Sequence, residues 1–455
     1  MPLRSINPAT SAVIAEYPEH GQEEIGQRIA NAAATFQTWR RKPVAERAAL
    51  LISLADTLRS GREQHARLMA LEMGKPISQG LAEIDKCADT CDYYARNAER
   101  LLAPRGVTTE ASASKITFEP LGVVLAIMPW NFPFWQVIRC AATALVAGNT
   151  VLLKHASNVT GCARALESVF KQSGFPSGAF SILQVSSSQM EMIIAQPAIQ
   201  AVTFTGSTPA GSAVAAVAGR HLKKTVLELG GSDAYIVLDD AELPLAAEVC
   251  ALSRLINSGQ SCVAAKRFIV VEQAHTEFTR LFIDAMKKAK PGDPLDSTTT
   301  LGPLARLDLR DQLQLQVDRT IEQGAKLLLG GCIPAGPGAY YPPTVLDGVR
   351  LGMTAFDEET FGPVAAIVPV KDESEAIRLA NTSPFGLGAA VFTRDIARGE
   401  RIARMELEAG NVFVNTQVRS DPRLPFGGIK QSGYGRELAE FGLMEFSNIK
   451  TLYVK

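Results

Sequence analysis

Charge of one sign is what this chain most conspicuously lacks. Its 46 Lys and Arg balance 47 Asp and Glu over 455 residues, leaving a net charge of −1. That balance excludes a large basic field able to hold nucleic acid or an anionic membrane surface by bulk electrostatics, and points to a small ligand. Cysteine is scarce: Cys87, Cys91, Cys140, Cys162, Cys250, Cys262 and Cys332 are odd in number and contain no C-x-x-C pair. Such usage fits neither a secreted disulfide framework nor a zinc site, and it fits a reducing cytoplasm. The opening MPLRSINPATSAVIAEYPEH has no apolar core behind its charge, so a secretory signal is not expected. The segment LGVVLAIMPWNFPFWQVI, residues 121 to 138, reaches 18 residues without a charge, but Pro129 and Pro133 interrupt it. It reads as a buried strand from Val123 to Met128, a sharp loop and a new helix, and not as a membrane span.

What is present is a soluble globular composition, 46% hydrophobic and 20% charged, with chain enough for two or three domains. Residues 22 to 104 have helical spacing rich in Ala, Leu, Arg and Glu. Residues 108 to 120, TTEASASKITFEP, are polar and Thr/Ser-rich, as an exposed two-stranded excursion would be. From 121 onward the short apolar runs LGVVLAIM, TVLLK, AVTFT and TVLEL alternate with helical stretches, the signature of βαβ units and a parallel sheet. A second series, AYIVLDD, KRFIVV, AAIVPV, GAAVFT and GNVFVN, predicts a second α/β lobe. The last ten residues, FSNIKTLYVK, alternate in strand fashion. This tail and the 108 to 120 excursion are expected to act as edge strands for another subunit, which predicts an oligomer.

Three polar residues interrupt otherwise apolar or turn-like contexts in a way that suits chemistry. Cys262 lies in NSGQSCVAAKRFIV, in a loop between a helix and a strand where a substrate can reach it; the alternative is an ordinary buried thiol. A thiol attacks only as thiolate, so it needs a lowered pKa or a base. Glu228 sits inside an apolar strand before two glycines, where burial raises a carboxyl toward the range of a general base; otherwise it is an exposed strand-edge residue. Asn131, between Trp130 and Phe132, offers an amide donor for an oxyanion, or it is simply a turn residue. The strand-turn-helix AVTFTGSTPAGSAVAAVA places Gly206 and Ser207 where backbone amides can meet a phosphate, although it is not the G-x-G-x-x-G fingerprint and tight helix–strand packing explains it equally. Lys154 ends TVLLK at the sheet edge where open α/β folds bind ligands, or it is a solvated strand end. His155 reads as a space-filling neighbour.

Jointly and in this order, PWNFP (129 to 133), LLKHAS (152 to 157), FTGSTPAG (204 to 211), LELGG (227 to 231), GQSC (259 to 262), EETFGP (358 to 363) and PFGGIKQSG (425 to 433) resemble the NAD(P)-dependent aldehyde dehydrogenases over nearly the whole chain. The resemblance implies two Rossmann-type α/β lobes and a small β oligomerisation arm. A cofactor-binding domain would comprise 1–107 and 122–230, a catalytic domain 231–430, and an arm and C-terminal tail 108–121 and 431–455. It implies that Cys262 attacks the aldehyde, that Asn131 and the Cys262 N–H hold the oxyanion, and that Glu228 activates the water that hydrolyses the thioester. It also implies that Trp130, Lys154, Ser157, Gly206, Ser207, Glu359 and Phe361 meet the cofactor, Glu359 at the nicotinamide ribose and Phe361 beside the ring.

Within the family, GQSCVAAKRFIV, LELGGSDAYIVLDDA and MPWNFPFWQVIR are most similar to the bacterial succinate-semialdehyde dehydrogenase branch. A helix starting near Pro133 puts Trp135 and Arg139 four apart on one face, an aromatic wall and a cation suited to a carboxylate-bearing aldehyde. The loop VNTQVRSDPRLPFGG adds Arg419 or Ser420; Arg139 in a structural ion pair and a solvated loop are the alternatives. The family's K-P-S-E strand end reads Lys154-His155-Ala156-Ser157 here. Without the acidic residue a 2′-phosphate is not repelled, which favours NADP while allowing NAD. Glutarate semialdehyde, a coenzyme-A-acylating reaction and a non-catalytic role for the fold are the competing readings, and a homodimer or homotetramer without metal is expected.

Overall fold

The computed structural model describes residues 2–455. Two mostly parallel sheets organise it. The first is built from β1 (Val123–Met128), β2 (Thr150–His155), β3 (Phe180–Ile182), β4 (Ile199–Thr205) and β5 (Lys224–Glu228) in the spatial order β5-β4-β1-β2-β3. All five run parallel, and Gly433–Tyr434 adds an antiparallel edge on β5. β1 is central and buried at all six positions, which is why its sequence reads as a continuous apolar run and not an alternation. After Pro129 and Pro133 the chain turns into a helix over Trp135–Ala147 that is buried at every residue. The uncharged stretch thus becomes a strand, a loop and a core helix. Among the described residues no helix is long and apolar enough to cross a membrane.

The second sheet contains β6 (Ala234–Val237), β7 (Arg267–Val271), β8 (Thr344–Asp347), β9 (Val364–Val370), β10 (Gly388–Phe392) and β11 (Asn411–Val414), ordered β8-β9-β7-β6-β10-β11 and parallel throughout, with Lys326–Leu329 antiparallel on β8. Crossover helices cover it, as parallel pairing requires. They include Leu243–Leu255 and Glu272–Met286.

The 22 to 104 region is helical as its spacing predicts: Gln22–Trp39, Val44–Ser60, Arg62–Met73 and α1 (Ile77–Leu101). The helix over Trp135–Ala147 is α2, the helix Thr208–Arg220 is α3, and Leu243–Leu255 is α4. All seven cysteines are free.

One expectation changes. The strand Ala113–Pro120 pairs antiparallel along its full length with the C-terminal strand Ser447–Val454, in register from Ala113↔Val454 to Ser447↔Pro120, and Arg105–Gly106 completes a three-stranded sheet. The excursion therefore supplies the central strand, and the tail supplies an edge. The physical reason is that an isolated ribbon is marginal in water, while three strands bury one another's backbone polar groups. The tail's outer residues Ile449, Leu452, Tyr453 and Val454 remain exposed.

Candidate active site

The polypeptide before Cys262 is locked in an unusual shape. Asn257 (φ 54°) and Ser258 (φ 55°) are both left-handed, and Gly259 follows at φ 77°. Two consecutive non-glycine residues in this region cost energy that surrounding contacts must offset. Those contacts are present. Asn257 Nδ2 donates to the Asn131 carbonyl (2.7 Å) and the Gln260 carbonyl (3.0 Å), and its backbone N–H donates to Gln79 Oε1 (2.7 Å). Ser258 Oγ donates to Gly302 O (3.0 Å), and Arg254 Nη2 donates to Gly259 O (2.6 Å). A Cβ on Gly259 would lie 2.2 Å from the Gly362 carbonyl carbon, so the cysteine turn packs backbone to backbone against the EETFGP loop.

This turn brings Cys262 and Asn131 into one unit. Asn131 is buried, and its Nδ2 donates to the same Gln260 carbonyl at 3.1 Å, which fixes the amide plane and leaves a second N–H of that nitrogen. Among the described residues the Cys262 N–H donates to no group. On the other side, Lys266 is fully buried, and its Nζ donates to the carbonyls of Ser261 (3.1 Å) and Cys262 (2.6 Å) while lying 3.2 Å from Glu359 Oε1. Burial pushes the Cys262 thiol up to about 11, with Arg139 and Lys266 pulling it back. At rest the group is a thiol, and a base has to assist it.

Glu228 terminates β5 beside Thr205 of β4 and is 2% exposed; neither carboxylate oxygen has a hydrogen-bond partner among the described residues. Burial raises its pKa well above the ordinary value, opposed by Arg139 and reinforced by Glu437. An unpartnered buried carboxyl is expensive, and it is retained where a proton must be moved.

Cys262 stands where two cavities meet, sharing with Gln136 the lining of both. The larger, about 470 Å³, is bordered by Trp130, Asn131, Thr205, Gly206, Ser207, Glu359 and Phe361. Trp130 and Phe361 form one wall, ring centroids 5.8 Å apart and perpendicular. Ser207 is the residue preceding α3, and its side chain makes no capping bond, so the first amides of that helix are left for an anion. Glu359 Oε1 accepts from Gly231 N at 3.1 Å. Lys154 and Ser157 are not in this lining; they lie at the carboxyl end of β2, with Ser157 exposed and Lys154 half-buried. Glu19 is the acidic group that Lys154 feels.

The smaller cavity, about 210 Å³, is lined by Trp135, Arg139, Arg419, Ser420, Phe426 and Lys86 among others. Arg139 reaches it, but its guanidinium is in a buried ion pair with Glu437, an ionic contact without an aligned hydrogen bond. It also lies 5.0 Å from the Phe426 ring centroid. The structural ion pair weighed as an alternative from sequence is therefore present. Arg419 is exposed and Ser420 half-buried.

Several contributors were not singled out from sequence. Asn257 and Lys266 are two, because their partners are distant in the chain and nothing local marks them. His155 does more than fill space. Its Nε2 lies 2.9 Å from the Pro133 carbonyl, and its Nδ1 lies 3.2 Å from the Met128 carbonyl and 2.9 Å from Ala156 N. Burial lowers its pKa to about 4. It thus pins the loop that carries Asn131 to the end of β2. Among the described residues no cluster of His, Cys, Asp or Glu could hold a metal.

A thiol at the junction of two cavities, with a buried carboxyl and amide donors beside it, defines a covalent aldehyde-oxidising site on a doubly wound fold. The aldehyde dehydrogenase family profile matches residues 1–452, and the chain belongs to that family. It is 48% identical over 454 residues, covering 100% of both chains, to a probable succinate-semialdehyde dehydrogenase [NADP(+)] of Synechocystis sp.. It is 49% identical over 449 residues, 99% of this chain and 97% of the other, to a succinate semialdehyde dehydrogenase [NAD(P)+] of Escherichia coli. The structure of succinic semialdehyde dehydrogenase from Streptococcus pyogenes with NADP+ superposes at a TM-score of 0.97, with 37% identity and 99% of each chain covered.

Proposed function

We propose that this protein oxidises succinate semialdehyde to succinate with NADP as cofactor, through a thioester on Cys262. The single observation that carries the reading is the position of Cys262 at the junction of two cavities, one fitted to a dinucleotide and one walled by an indole and cations. The names borne by the relatives support the substrate and the cofactor.

The residues divide the work as follows. The aldehyde enters from the smaller cavity; the Cys262 thiol loses its proton to solvent water, and its Sγ bonds to the carbonyl carbon while the Asn131 amide and the Cys262 N–H stabilise the negative oxygen. When bound, NADP would supply the hydride acceptor that oxidises the thiohemiacetal carbon to a thioester. The first amides of α3 and Ser207 suit its diphosphate, Glu359 its ribose, and Trp130 and Phe361 the walls around it. Lys154 and Ser157, with no carboxylate between them in Lys154-His155-Ala156-Ser157, suit a 2′-phosphate. Glu228 then takes a proton from water, which hydrolyses the thioester and frees the thiol. Lys266 holds the Ser261 and Cys262 carbonyls still throughout.

The exposed apolar residues on the tail strand, in a sheet too small for a core of its own, support a homodimer or homotetramer built through that edge. Initial rates of nicotinamide reduction with succinate semialdehyde and with butanal, each with NADP and with NAD, test the reading. A strong preference for the semialdehyde and for NADP is expected. Equal rates on both aldehydes would overturn the substrate, and a higher kcat/KM with NAD would overturn the cofactor.

A further inference from the structure

Lys266 is anchored before its side chain reaches the site. It immediately precedes β7; its backbone N–H donates to the Asp233 carbonyl at 3.1 Å, and its own carbonyl accepts from Ala366 N of β9 at 3.0 Å. The side chain is wholly buried. An ammonium has three N–H donors, and here three acceptors surround it: the carbonyls of Ser261 (3.1 Å) and Cys262 (2.6 Å), and Glu359 Oε1 (3.2 Å). Two of the three belong to the polypeptide that carries the nucleophile. The third is the carboxylate that borders the cofactor-sized cavity.

No neighbouring group competes for either partner. Arg254 and Arg267 are equally buried, but they donate to carbonyls: Arg254 to Gly259 O at 2.6 Å, Arg267 to Ser232, Leu379 and Ala380 at 3.0, 2.9 and 3.1 Å. Asp233, the other carboxylate whose charge Lys266 influences, accepts from Gly388 N at 3.0 Å. Among the described residues Lys266 and Glu359 form no salt bridge except with each other. The Lys266 side chain is 0% exposed and that of Glu359 21%, so the pair is sealed at one end and open to the cavity at the other. Moving Glu359 away would strand a buried ammonium, which is strongly unfavourable. The surroundings fit the same placement: Glu359 Oε1 also accepts from Gly231 N at 3.1 Å, and a Cβ on Gly230 would come within 2.4 Å of Oε2. A loop carboxylate held in this way has already lost the rotamer freedom that ligand binding would otherwise cost it.

We infer that Lys266 is a positioning residue for the cofactor: its ammonium ties Glu359, the residue that meets the nicotinamide ribose, to the peptide of Cys262. This rests on the cofactor placement proposed above. One cation thereby keeps the group that holds the hydride acceptor and the group that holds the substrate carbon in a single frame.

A double-mutant cycle over wild type, Lys266→Met, Glu359→Gln and the double variant tests it. Two quantities are read in each: the calorimetric Kd for NADP and for adenosine 2′,5′-bisphosphate, which keeps the 2′-phosphate but has no nicotinamide ribose, and the single-turnover rate of nicotinamide reduction. Lys266→Met is expected to weaken NADP about 10-fold and to slow the single turnover at least about 10-fold. The bisphosphate should bind every variant within about 2-fold of wild type. Because both substitutions act through one carboxylate, adding Lys266→Met to Glu359→Gln should cost less than about a further 3-fold. If Lys266→Met does not fold, Lys266→Gln, which keeps an N–H donor for the carbonyls and removes the charge, completes the same cycle. Fully additive effects, equal weakening of NADP and the bisphosphate, or wild-type values in the Lys266 variant would each overturn the inference. Glu359→Gln indistinguishable from wild type would overturn the ribose contact on which it rests, and a wild type that does not bind NADP would overturn the proposed cofactor.

Discussion

Replacing Asn257 by alanine tests whether the left-handed turn before Cys262 is what aligns the oxyanion donors. The side chain is 1% exposed and its Nδ2 serves two carbonyls, those of Asn131 and Gln260, at 2.7 and 3.0 Å. Alanine removes both bonds, at about 1 kcal/mol each. It also places a residue less tolerant of φ 54° there, at a further cost of about 1 kcal/mol. The expected loss of stability is thus about 2–3 kcal/mol. Asn257→Gly loses the same bonds but relieves the dihedral cost, so it should be more stable than Asn257→Ala, the reverse of the usual order for these two residues. Function should suffer in both, because the Asn131 backbone is released from the cysteine turn. A misplacement of about 1 Å at the oxyanion donors reduces the chemical step about 100-fold. Thermal unfolding reads the first quantity, and single-turnover nicotinamide reduction in a rapid-mixing instrument reads the second. Wild-type single-turnover rates in Asn257→Ala would refute the reasoning, as would an alanine variant more stable than the glycine one.

Two further outcomes are expected. Burial holds Cys262 up at about 11 and Glu228 well above its usual range, so both gain their working negative charge as pH rises, and kcat/KM for butanal should climb from neutral into alkaline solution. Gly427→Ala would put a Cβ 2.8 Å from Glu228 Oε1 and 2.9 Å from Gly435 O. Displacing the base should slow steady turnover at least about 10-fold while the first-turnover burst of reduced cofactor survives; loss of both together would count against a role for Glu228 after hydride transfer.

The strands were legible because parallel central strands are buried on both faces and read as unbroken apolar runs: the strand expected at Val123 to Met128 is β1. Glu228 and Asn131 stood out for the same reason, being polar residues in apolar surroundings that solvent does not explain. Arg139 shows the limit. Its spacing from Trp135 placed it correctly on the cavity face of α2, but its charge is taken by Glu437, a residue far along the chain. Lys86 was invisible for a related reason. On α1 it sits among Glu83, Asp85 and Asp89 and reads as part of a solvated face, and only the approach of Trp135 and Ser420 turns it inward. Asn257 and Lys266 act through backbone carbonyls, which leave no trace in side-chain pattern. The pairing of Ala113–Pro120 with the C-terminal strand was hidden similarly, since strand propensity marks a strand and not its partner.

The central claim is that Cys262 carries the acyl group and Glu228 removes it. Its most direct test is Glu228→Gln mixed with succinate semialdehyde and NADP, followed by quenching and mass spectrometry of the protein. The account predicts a burst of one reduced cofactor per subunit, almost no further turnover, and one succinyl group on the peptide that contains Cys262. Sustained turnover without a burst, or an adduct on any other residue, would contradict it.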